Sequence, residues 1–133
     1  MTQVVVDSSA LVAWLIDAGQ VGEWVGARLA SARAAAPELV MYEAANVLRR
    51  QVAQGRLTAV EAGLAHADLQ ALTIDLWPYA VCSDRVWQLR GNLTAYDASY
   101  VAVAELLGAD LLTLDAKLSR APGSRCRIVL PPG

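Results

Sequence analysis

Short apolar runs alternate along the chain with longer segments in which apolar residues recur every three or four positions. The first run, residues 4–6, leads into Asp-Ser-Ser, whose oxygens can cap the helix indicated by the apolar segment 10–16. Strand character recurs in TIDLWPY, ADLLTLD and the closing CRIVLPP, where Pro131 indicates an edge strand. Strands that alternate with helices predict an α/β fold layered on a mostly parallel sheet.

Two helices are predicted after the first one. Residues 21–33 carry apolar side chains at helical spacing and predict a short helix. The Ala-rich segment 34–55 predicts a longer helix, entered near Pro37, where a first turn tolerates proline, and ended near Gly55. No strand is predicted between the first strand and TIDLWPY.

Helix ends are marked further along the chain. Thr58 and Glu61 have the spacing of a capping box. Thr94 is a good N-cap for a helix that has Asp97 in its first turn, and Gly108 suits the other end of that helix. Shorter helices are predicted in AVCSDRVWQLR and AKLSRAPG.

Length and composition predict a single domain over residues 1–133. Hydrophobic residues make up 56% of the chain, yet the longest apolar run, residues 10–16, is far shorter than the roughly 18 residues of a membrane span. The first residues lack the features of a secretory signal, so a cytoplasmic location is expected. Cys82 and Cys126 have no partner at metal-binding spacing and are interpreted as small core residues.

A net charge of −2 argues against nucleic-acid binding by bulk attraction alone. Ten of the eleven basic residues are arginine, whose planar group suits phosphate. The basic residues form short groups that can be interpreted either as phosphate contacts or as solvated faces. These groups are Arg49, Arg50 and Arg56; Arg85 and Arg90; and Lys117, Arg120, Arg125 and Arg127.

Four carboxylates stand out from the other acidic residues. Asp7 and Asp115 each follow an apolar run, and the carboxyl ends of parallel strands lie at one edge of a sheet, where ligand sites form. Glu43 lies in the apolar stretch LVMYEAANVL, and Asp97 lies where the helix dipole favours a carboxylate. Each also has a structural interpretation, as helix caps for Asp7 and Asp115, a dipole partner for Asp97 and a water-facing side chain for Glu43.

The residue pattern alone leaves a shared site and four separate structural roles both open. If the carboxylates converge, their mutual repulsion is relieved by protonation or by a bound cation. Oxygen ligands without imidazole or thiolate favour Mg²⁺ or Mn²⁺ over zinc. Such a metal can activate water against a phosphodiester, so hydrolysis of a nucleic-acid backbone is the reaction class that follows.

At these four acids the sequence closely resembles the PIN-domain ribonucleases, specifically the VapC-type toxins of bacterial toxin–antitoxin pairs. The resemblance spans essentially the whole chain and rests on VVVDSSALVAWL, PELVMYEAANVLRR, NLTAYDASYVAVAELLGADLLTLDAKL and the ending APGSRCRIVLP. It implies an α/β/α sandwich with a mostly parallel sheet. It also implies an endoribonuclease that uses Mg²⁺ or Mn²⁺ to hydrolyse RNA and so arrests translation and growth.

The resemblance also implies roles for individual residues. Asp7 and Asp97 are the expected direct metal ligands, while Glu43 and Asp115 would hold metal or position the attacking water. Thr113 matches a place where the family often has a hydroxyl that supports the site. Weaker supporting candidates are Ser9 and Asn46.

The resemblance implies two protein partners, a second copy in a homodimer and a small cognate antitoxin that shields the acidic pocket. Trp14 and Trp24 could line the antitoxin groove, although their helical spacing also suits ordinary core packing. His66 is the only histidine and is expected to face solvent from its helix, so one chain cannot run a ribonuclease mechanism on two imidazoles.

Three other classes of protein share some of these features. A haloacid-dehalogenase-type phosphatase also begins with a strand that ends in aspartate, but its second acid would stand where this chain has Ser9. A receiver domain needs a lysine at the end of a late strand, and Lys117 follows a helix start instead. A non-catalytic interaction module with a PIN-like fold, in which the acids are only caps, would differ by its independence of divalent metal.

Overall fold

The computed structural model describes residues 2–17 and 19–133. A parallel five-stranded sheet forms its centre. The strand order is β3-β2-β1-β4-β5, and every neighbouring pair is parallel. The first strand is therefore central and the last is at an edge, as the sequence predicts. The strands are β1 (Gln3–Val6), β2 (Arg33–Pro37), β3 (Asp75–Trp77), β4 (Asp110–Leu112) and β5 (Ile128–Val129).

Helices cover both faces of this sheet. The first four helices pack on one another, whereas α6 packs on β1, β2 and β4 and against α5. Together with the sheet they form the α/β/α sandwich that the resemblance implies. The helices are α1 (Ser8–Ile16), α2 (Gln20–Ala30), α3 (Leu39–Ala53), α4 (Ala59–Ala71), α5 (Ser83–Gln88), α6 (Ala95–Leu107) and α7 (Ala116–Ser119), with a 3₁₀ turn at Tyr79–Val81.

The helix ends predicted at Thr58, Thr94 and Gly108 are confirmed. Thr58 Oγ1 accepts a hydrogen bond from the Glu61 amide at 3.1 Å, and Glu61 Oε1 accepts one from the Thr58 amide at 2.9 Å. At the start of α6, Thr94 Oγ1 accepts from the Asp97 amide at 3.1 Å. Gly108 ends α6 with a φ of 62°, a left-handed conformation that glycine adopts without strain.

The sequence prediction missed β2, which is the one wrong assignment among the larger elements. Residues 33–37 form a strand between β1 and β3, and α3 begins only at Leu39, two residues after Pro37. Alanine favours helices locally, but the second half of this Ala-rich strand is enclosed, with Ala35 and Ala36 at 0% exposure. Burial between two strands therefore outweighs local helix propensity here.

Small side chains let the core elements approach closely. In α6 the seven residues from Ala98 to Ala104 are all buried, so this helix is enclosed on nearly every side. At Gly22 a Cβ would lie 2.0 Å from the Asp17 carbonyl oxygen, so the turn between α1 and α2 requires glycine. Trp14 and Trp24 are half-buried against the core, and His66 is exposed as predicted.

Two further sequence expectations concern the cysteines and the membrane. Cys82 is a buried free thiol and Cys126 a half-buried one, which agrees with their interpretation as small core residues. Among the described residues no helix has the length and apolar character needed to cross a bilayer.

Candidate active site

Asp7 lies at the carboxyl end of the central strand and is only 7% exposed. Its Oδ1 caps α1 by accepting a hydrogen bond from the Ala10 amide at 3.0 Å, and it also accepts from Ser9 Oγ at 2.6 Å. Burial raises the pKa of Asp7, and the charge of Asp115 adds to that effect, while the hydrogen bonds that it accepts act in the opposite direction. Asp7 is therefore a helix cap and, at the same time, a buried acid directed by three donors.

The third donor to Asp7 is Thr113, whose side chain is completely buried. Its Oγ1 donates to Asp7 Oδ2 at 2.5 Å and accepts from the Asp115 amide at 3.0 Å. One hydroxyl thus joins the loop after β4 to the end of β1. The predicted supporting role of Thr113 has a specific geometric basis, because this bridge sets the positions of two of the four acids together.

Ser9 makes a second bridge between the same segments. Its Oγ donates to Asp7 and accepts from the Leu114 amide at 3.1 Å. Asp115 then caps α7, since its Oδ1 accepts from the Lys117 amide at 2.9 Å. The β4 strand ends at Leu112, so Asp115 lies three residues beyond the strand and not at its end.

Glu43 reaches the same edge from α3. The Tyr100 hydroxyl, on α6, donates a short hydrogen bond to Glu43 Oε1. Burial, the hydrogen bond to Glu43 and the nearby charges of Glu43 and Asp7 raise the pKa of Tyr100, so the phenol keeps its proton as a donor. The charge of Asp7 acts on this phenol, which places Glu43 and Asp7 around the same buried group.

Asp97 completes the group from the first turn of α6. Burial raises its pKa, and the next contributions come from the charges of Asp115, Glu43 and Asp7. All three other predicted acids therefore act electrostatically on Asp97. The tertiary structure brings together the four carboxylates whose convergence the sequence pattern left open.

Two sequence-predicted features lie elsewhere. Asn46 is exposed, and its Oδ1 accepts a hydrogen bond from Arg49 Nε at 2.9 Å, so its supporting role stays a prediction without a contact to the acids. Some arginines proposed for phosphate contacts are engaged within the fold. Arg85 pairs with Glu105, and Arg127 pairs with Asp110.

Tyr100 is the residue of this site that the sequence analysis missed. It lies three positions after Asp97, so both residues share one face of α6. That spacing in YDASY was the available signal. The spacing alone does not indicate a role for Tyr100 in the site, because a tyrosine in an apolar helix is ordinarily a core residue. Only the position of Glu43 in the fold reveals that role.

The acids have no cationic partner in the described part of the chain. The ion pairs found there involve Asp75, Glu105 and Asp110, none of which belongs to this group. Burial and the charges of neighbouring acids thus raise the pKa of Asp7 and of Asp97 without an ion pair to compensate them. Such an arrangement is typical of sites that bind a cation or a proton.

The ligand chemistry of the edge fits Mg²⁺ or Mn²⁺, because its polar groups are carboxylates and hydroxyls. Across residues 2–17 and 19–133, no three His, Cys, Asp or Glu side chains form a group that could hold a metal ion among themselves. Mg²⁺ is ordinarily held through one or two carboxylates and keeps several waters. An open edge of separate acids is compatible with that mode of binding.

Comparison with known proteins agrees with the fold. A family model described as "PIN domain" matches residues 4–124. The chain is 38% identical over 129 residues to VapC ribonuclease Mb0985 of Mycobacterium bovis, an alignment that covers 97% of this chain and 98% of the relative. The chain therefore belongs to the PIN-domain family and, within it, to the VapC group.

Solved structures show the same architecture. PAE2754 from Pyrobaculum aerophilum superposes with a TM-score of 0.68 at 26% identity, covering 96% of this chain and 83% of that one. VapBC2 from Rickettsia felis, bound to a DNA fragment from their promoter, gives 0.70 at 13% identity over 97% of this chain and 98% of the other. The phosphatase and receiver-domain alternatives are not favoured by these similarities.

Proposed function

We propose that this protein is a metal-dependent endoribonuclease toxin that hydrolyses RNA phosphodiester bonds and thereby arrests translation and growth. One observation carries the proposal: Asp7, Glu43, Asp97 and Asp115 share the carboxyl edge of a parallel sheet without a basic partner among the described residues. The VapC ribonucleases to which the chain is similar support RNA as the substrate.

In this proposal Asp7 and Asp97 hold Mg²⁺ or Mn²⁺. When bound, the metal would lower the pKa of a water molecule and neutralise the charge that develops on the phosphate. The raised pKa values of Asp7 and Asp97 support this assignment, since a cation relieves the repulsion that contributes to both. Glu43 and Asp115 complete the acidic edge and position the attacking water.

The surrounding hydrogen bonds orient these groups. Thr113 and Ser9 leave Asp7 few orientations, because together with the Ala10 amide they occupy both carboxylate oxygens. Tyr100 fixes Glu43 through its protonated phenol. Donors that fix a carboxylate in advance reduce the reorganisation needed when substrate and metal bind.

We further propose that residues 1–133 act as one PIN domain in the cytoplasm, in a homodimer, and that a cognate antitoxin neutralises the protein. A cavity of about 270 Å³ lies between α1, α2 and the segment before β3, where Trp14, Leu29 and Ile74 line it. This apolar cavity supports the predicted contribution of Trp14 to an antitoxin groove, while Trp24 packs half-buried on the core.

Cleavage of total bacterial RNA tests the proposed function. The purified protein should give discrete fragments with Mn²⁺ or Mg²⁺ and none with chelator. In Asp97→Asn the carboxylate that binds the cation is lost, so cleavage should fall by about 100-fold or more. Fragment formation over time, resolved on denaturing gels, measures the rates.

The matched control is Asp110→Asn, which makes the same chemical change in an acid that belongs to arginine ion pairs. This variant should cleave RNA at the rate of the unmodified protein. Equal cleavage by the Asp97→Asn and unmodified proteins would contradict the proposal. If metal binding were absent as well, the interaction-module alternative would replace it.

A further inference from the structure

An open cavity of about 310 Å³ lies beside the acidic group, at the carboxyl ends of β2 and β3. Three tyrosines and one tryptophan line it, together with Pro37 at the end of β2. We call it the tyrosine cavity, defined by Tyr42, Trp77, Tyr79 and Tyr96. Its volume lies at the lower end of the roughly 300–1,000 Å³ that is usual for small-ligand sites.

The tyrosines of this protein are concentrated at one edge of the sheet. The chain has four, and three of them line the cavity with their side chains largely in solvent, at 78% for Tyr42, 59% for Tyr79 and 62% for Tyr96. The fourth, Tyr100, binds Glu43 in the adjacent acidic group. Exposed aromatic rings at this density indicate a binding surface, because apolar side chains are otherwise favoured in the core.

The cavity and the acidic group are connected through the same two helices. Tyr42 precedes Glu43 on α3, and Tyr96 precedes Asp97 on α6. The first turn of α6 is fixed locally, since Ser99 Oγ donates to the Tyr96 carbonyl oxygen at 2.6 Å. A chain of nucleotides with its phosphodiester at the acids would therefore bring a neighbouring base to the tyrosine cavity.

The lining chemistry selects a base over a phosphate. No arginine, lysine or histidine is among the described residues that line the cavity, and its one charged side chain is the carboxylate of Glu38. A phosphate would be repelled by this carboxylate, whereas the amino or imino groups of a base can donate to it. Single-stranded RNA is characteristically bound by stacking of its unpaired bases on aromatic side chains.

We propose that the tyrosine cavity receives an unstacked nucleobase of single-stranded RNA, adjacent to the phosphodiester held at the acidic group. Tyr42 and Tyr96 stack on the base, and Glu38 accepts a hydrogen bond from its edge. This inference rests on the proposed function, because it assumes RNA as the substrate. To that function it adds that a nucleobase of the RNA is bound, and it names the side chains that bind this base.

Binding of short RNAs in the presence of chelator tests the inference without cleavage. The probes are fluorescently labelled oligoadenylate, oligouridylate and oligocytidylate of about ten nucleotides. An abasic ribose-phosphate oligomer of equal length keeps the charge and lacks the bases. Fluorescence anisotropy gives the affinities of the unmodified protein, Tyr42→Ala, Tyr96→Ala and Tyr96→Phe.

We expect the unmodified protein to bind at least one of the three RNAs about tenfold or more tightly than the abasic oligomer. Tyr42→Ala and Tyr96→Ala should each lose about tenfold for that RNA, because one stacking ring is removed. Tyr96→Phe retains the ring and should bind as the unmodified protein does. The control is Trp87→Ala, which removes a 66% exposed ring on α5, outside the cavity, and should not alter binding.

Three results would overturn the inference. The first is equal affinity for the abasic oligomer and all three RNAs, and the second is equal losses in Trp87→Ala and the tyrosine variants. The third is a change from dimer to monomer in Tyr42→Ala or Tyr96→Ala, seen by sedimentation, with RNA affinity unchanged, which would make the cavity an interface between copies. The binding test is made in chelator and does not depend on cleavage. A failure of the proposed function, seen as unchanged cleavage by Asp97→Asn, is therefore distinguishable from a failure of this inference.

Discussion

The two edges of the central sheet carry the same kind of residue in opposite electrostatic settings. At the amino edge, Arg33 Nε lies 2.8 Å from Asp75 Oδ2, where β2 and β3 begin. Asp110 begins β4 and lies within 3.3 Å of Arg28 and 2.5 Å of Arg127. At the carboxyl edge the four candidate acids have no such partner among the described residues.

This difference reverses the direction of the pKa shifts. The hydrogen bond from Arg127 is the main cause of a lowered pKa at Asp110, and the charges of Arg127 and Arg28 reinforce it. Burial is the main cause of a raised pKa at Asp97, and the other acids reinforce it. The amino edge is thus built to stabilise the fold, whereas the carboxyl edge sustains repulsion that a ligand can relieve.

The largest expected difference between the edges is the response to divalent cations. At a concentration about 100-fold above the Kd, Mn²⁺ or Mg²⁺ should stabilise the protein by about 2.7 kcal/mol, because the cation binds only the folded chain. For a chain of 133 residues this corresponds to a Tm increase of about 10 °C. Thermal unfolding with and without metal measures it.

Variants at the two edges make this test specific. Asp97→Asn should show a much smaller metal-induced increase, whereas Asp110→Asn should respond as fully as the unmodified protein. Equal increases in all three proteins would mean that the stabilising cation binds outside the acidic group.

A smaller effect is expected from the hydroxyl that organises the carboxyl edge. Thr113→Val leaves Asp7 and the Asp115 amide without their common partner in a fully buried position. We expect a loss of about 1–3 kcal/mol in the free energy of unfolding and a weaker metal response. Urea unfolding at constant pH measures the loss.

Thr113→Ser provides the control, because it keeps the hydroxyl and removes one methyl group. It should retain the metal response and lose only about 0.8 kcal/mol. If Thr113→Val were as stable and as responsive to metal as Thr113→Ser, the bridge would have no part in holding the site.

The smallest expected effects, within about 1 kcal/mol, are pH dependences of opposite sign in metal-free protein. The folded-state pKa of Asp97 is raised above its ordinary 3.8, so its ionisation destabilises the fold as pH rises through the raised value. Asp97→Asn should therefore be as stable as the unmodified protein or more stable near neutral pH. That advantage should disappear as pH falls toward 3.8.

Asp110 should behave in the opposite way. Its folded-state pKa is lowered, so its contribution is present above 3.8 and is lost as pH falls through the lowered value. Asp110→Asn should be slightly less stable than the unmodified protein near neutral pH. Urea unfolding of both variants and the unmodified protein across acidic and neutral pH compares the edges directly. The stability difference between each variant and the unmodified protein should change with pH in opposite directions for Asp97→Asn and Asp110→Asn. A change in the same direction would contradict the contrast between the edges.

Local patterns were reliable where one residue's chemistry decides the backbone. Thr58 with Glu61, Thr94 and Gly108 were predicted from short-range hydrogen bonding and backbone freedom, and the structure confirms these helix ends. Asp7 was correctly placed at the end of a central strand. The capping interpretation of Asp7 is confirmed, since its Oδ1 caps α1. Its Oδ2 accepts from Thr113, so capping uses one oxygen and does not exclude the proposed role in the site.

Non-local effects account for what was missed. The alanines of β2 favour a helix in isolation, and only their enclosure between β1 and β3 makes them a strand. Tyr100 gained its role because α3 brings Glu43 to α6, across 57 positions of sequence. Neither effect leaves a periodic signal, since each depends on the packing partner and not on the segment itself.

The sequence by itself determined the alternation of strands and helices, the helix caps, the acidic residues and the resemblance that grouped them. The tertiary structure decided which acids share one edge, which are neutralised by arginine, and where the tyrosines are exposed. Caps and periodicity depend on neighbours within a few positions of the chain. Charge repulsion, burial and cavities depend on distances in space, which exist only once the parallel sheet has brought its strand ends together.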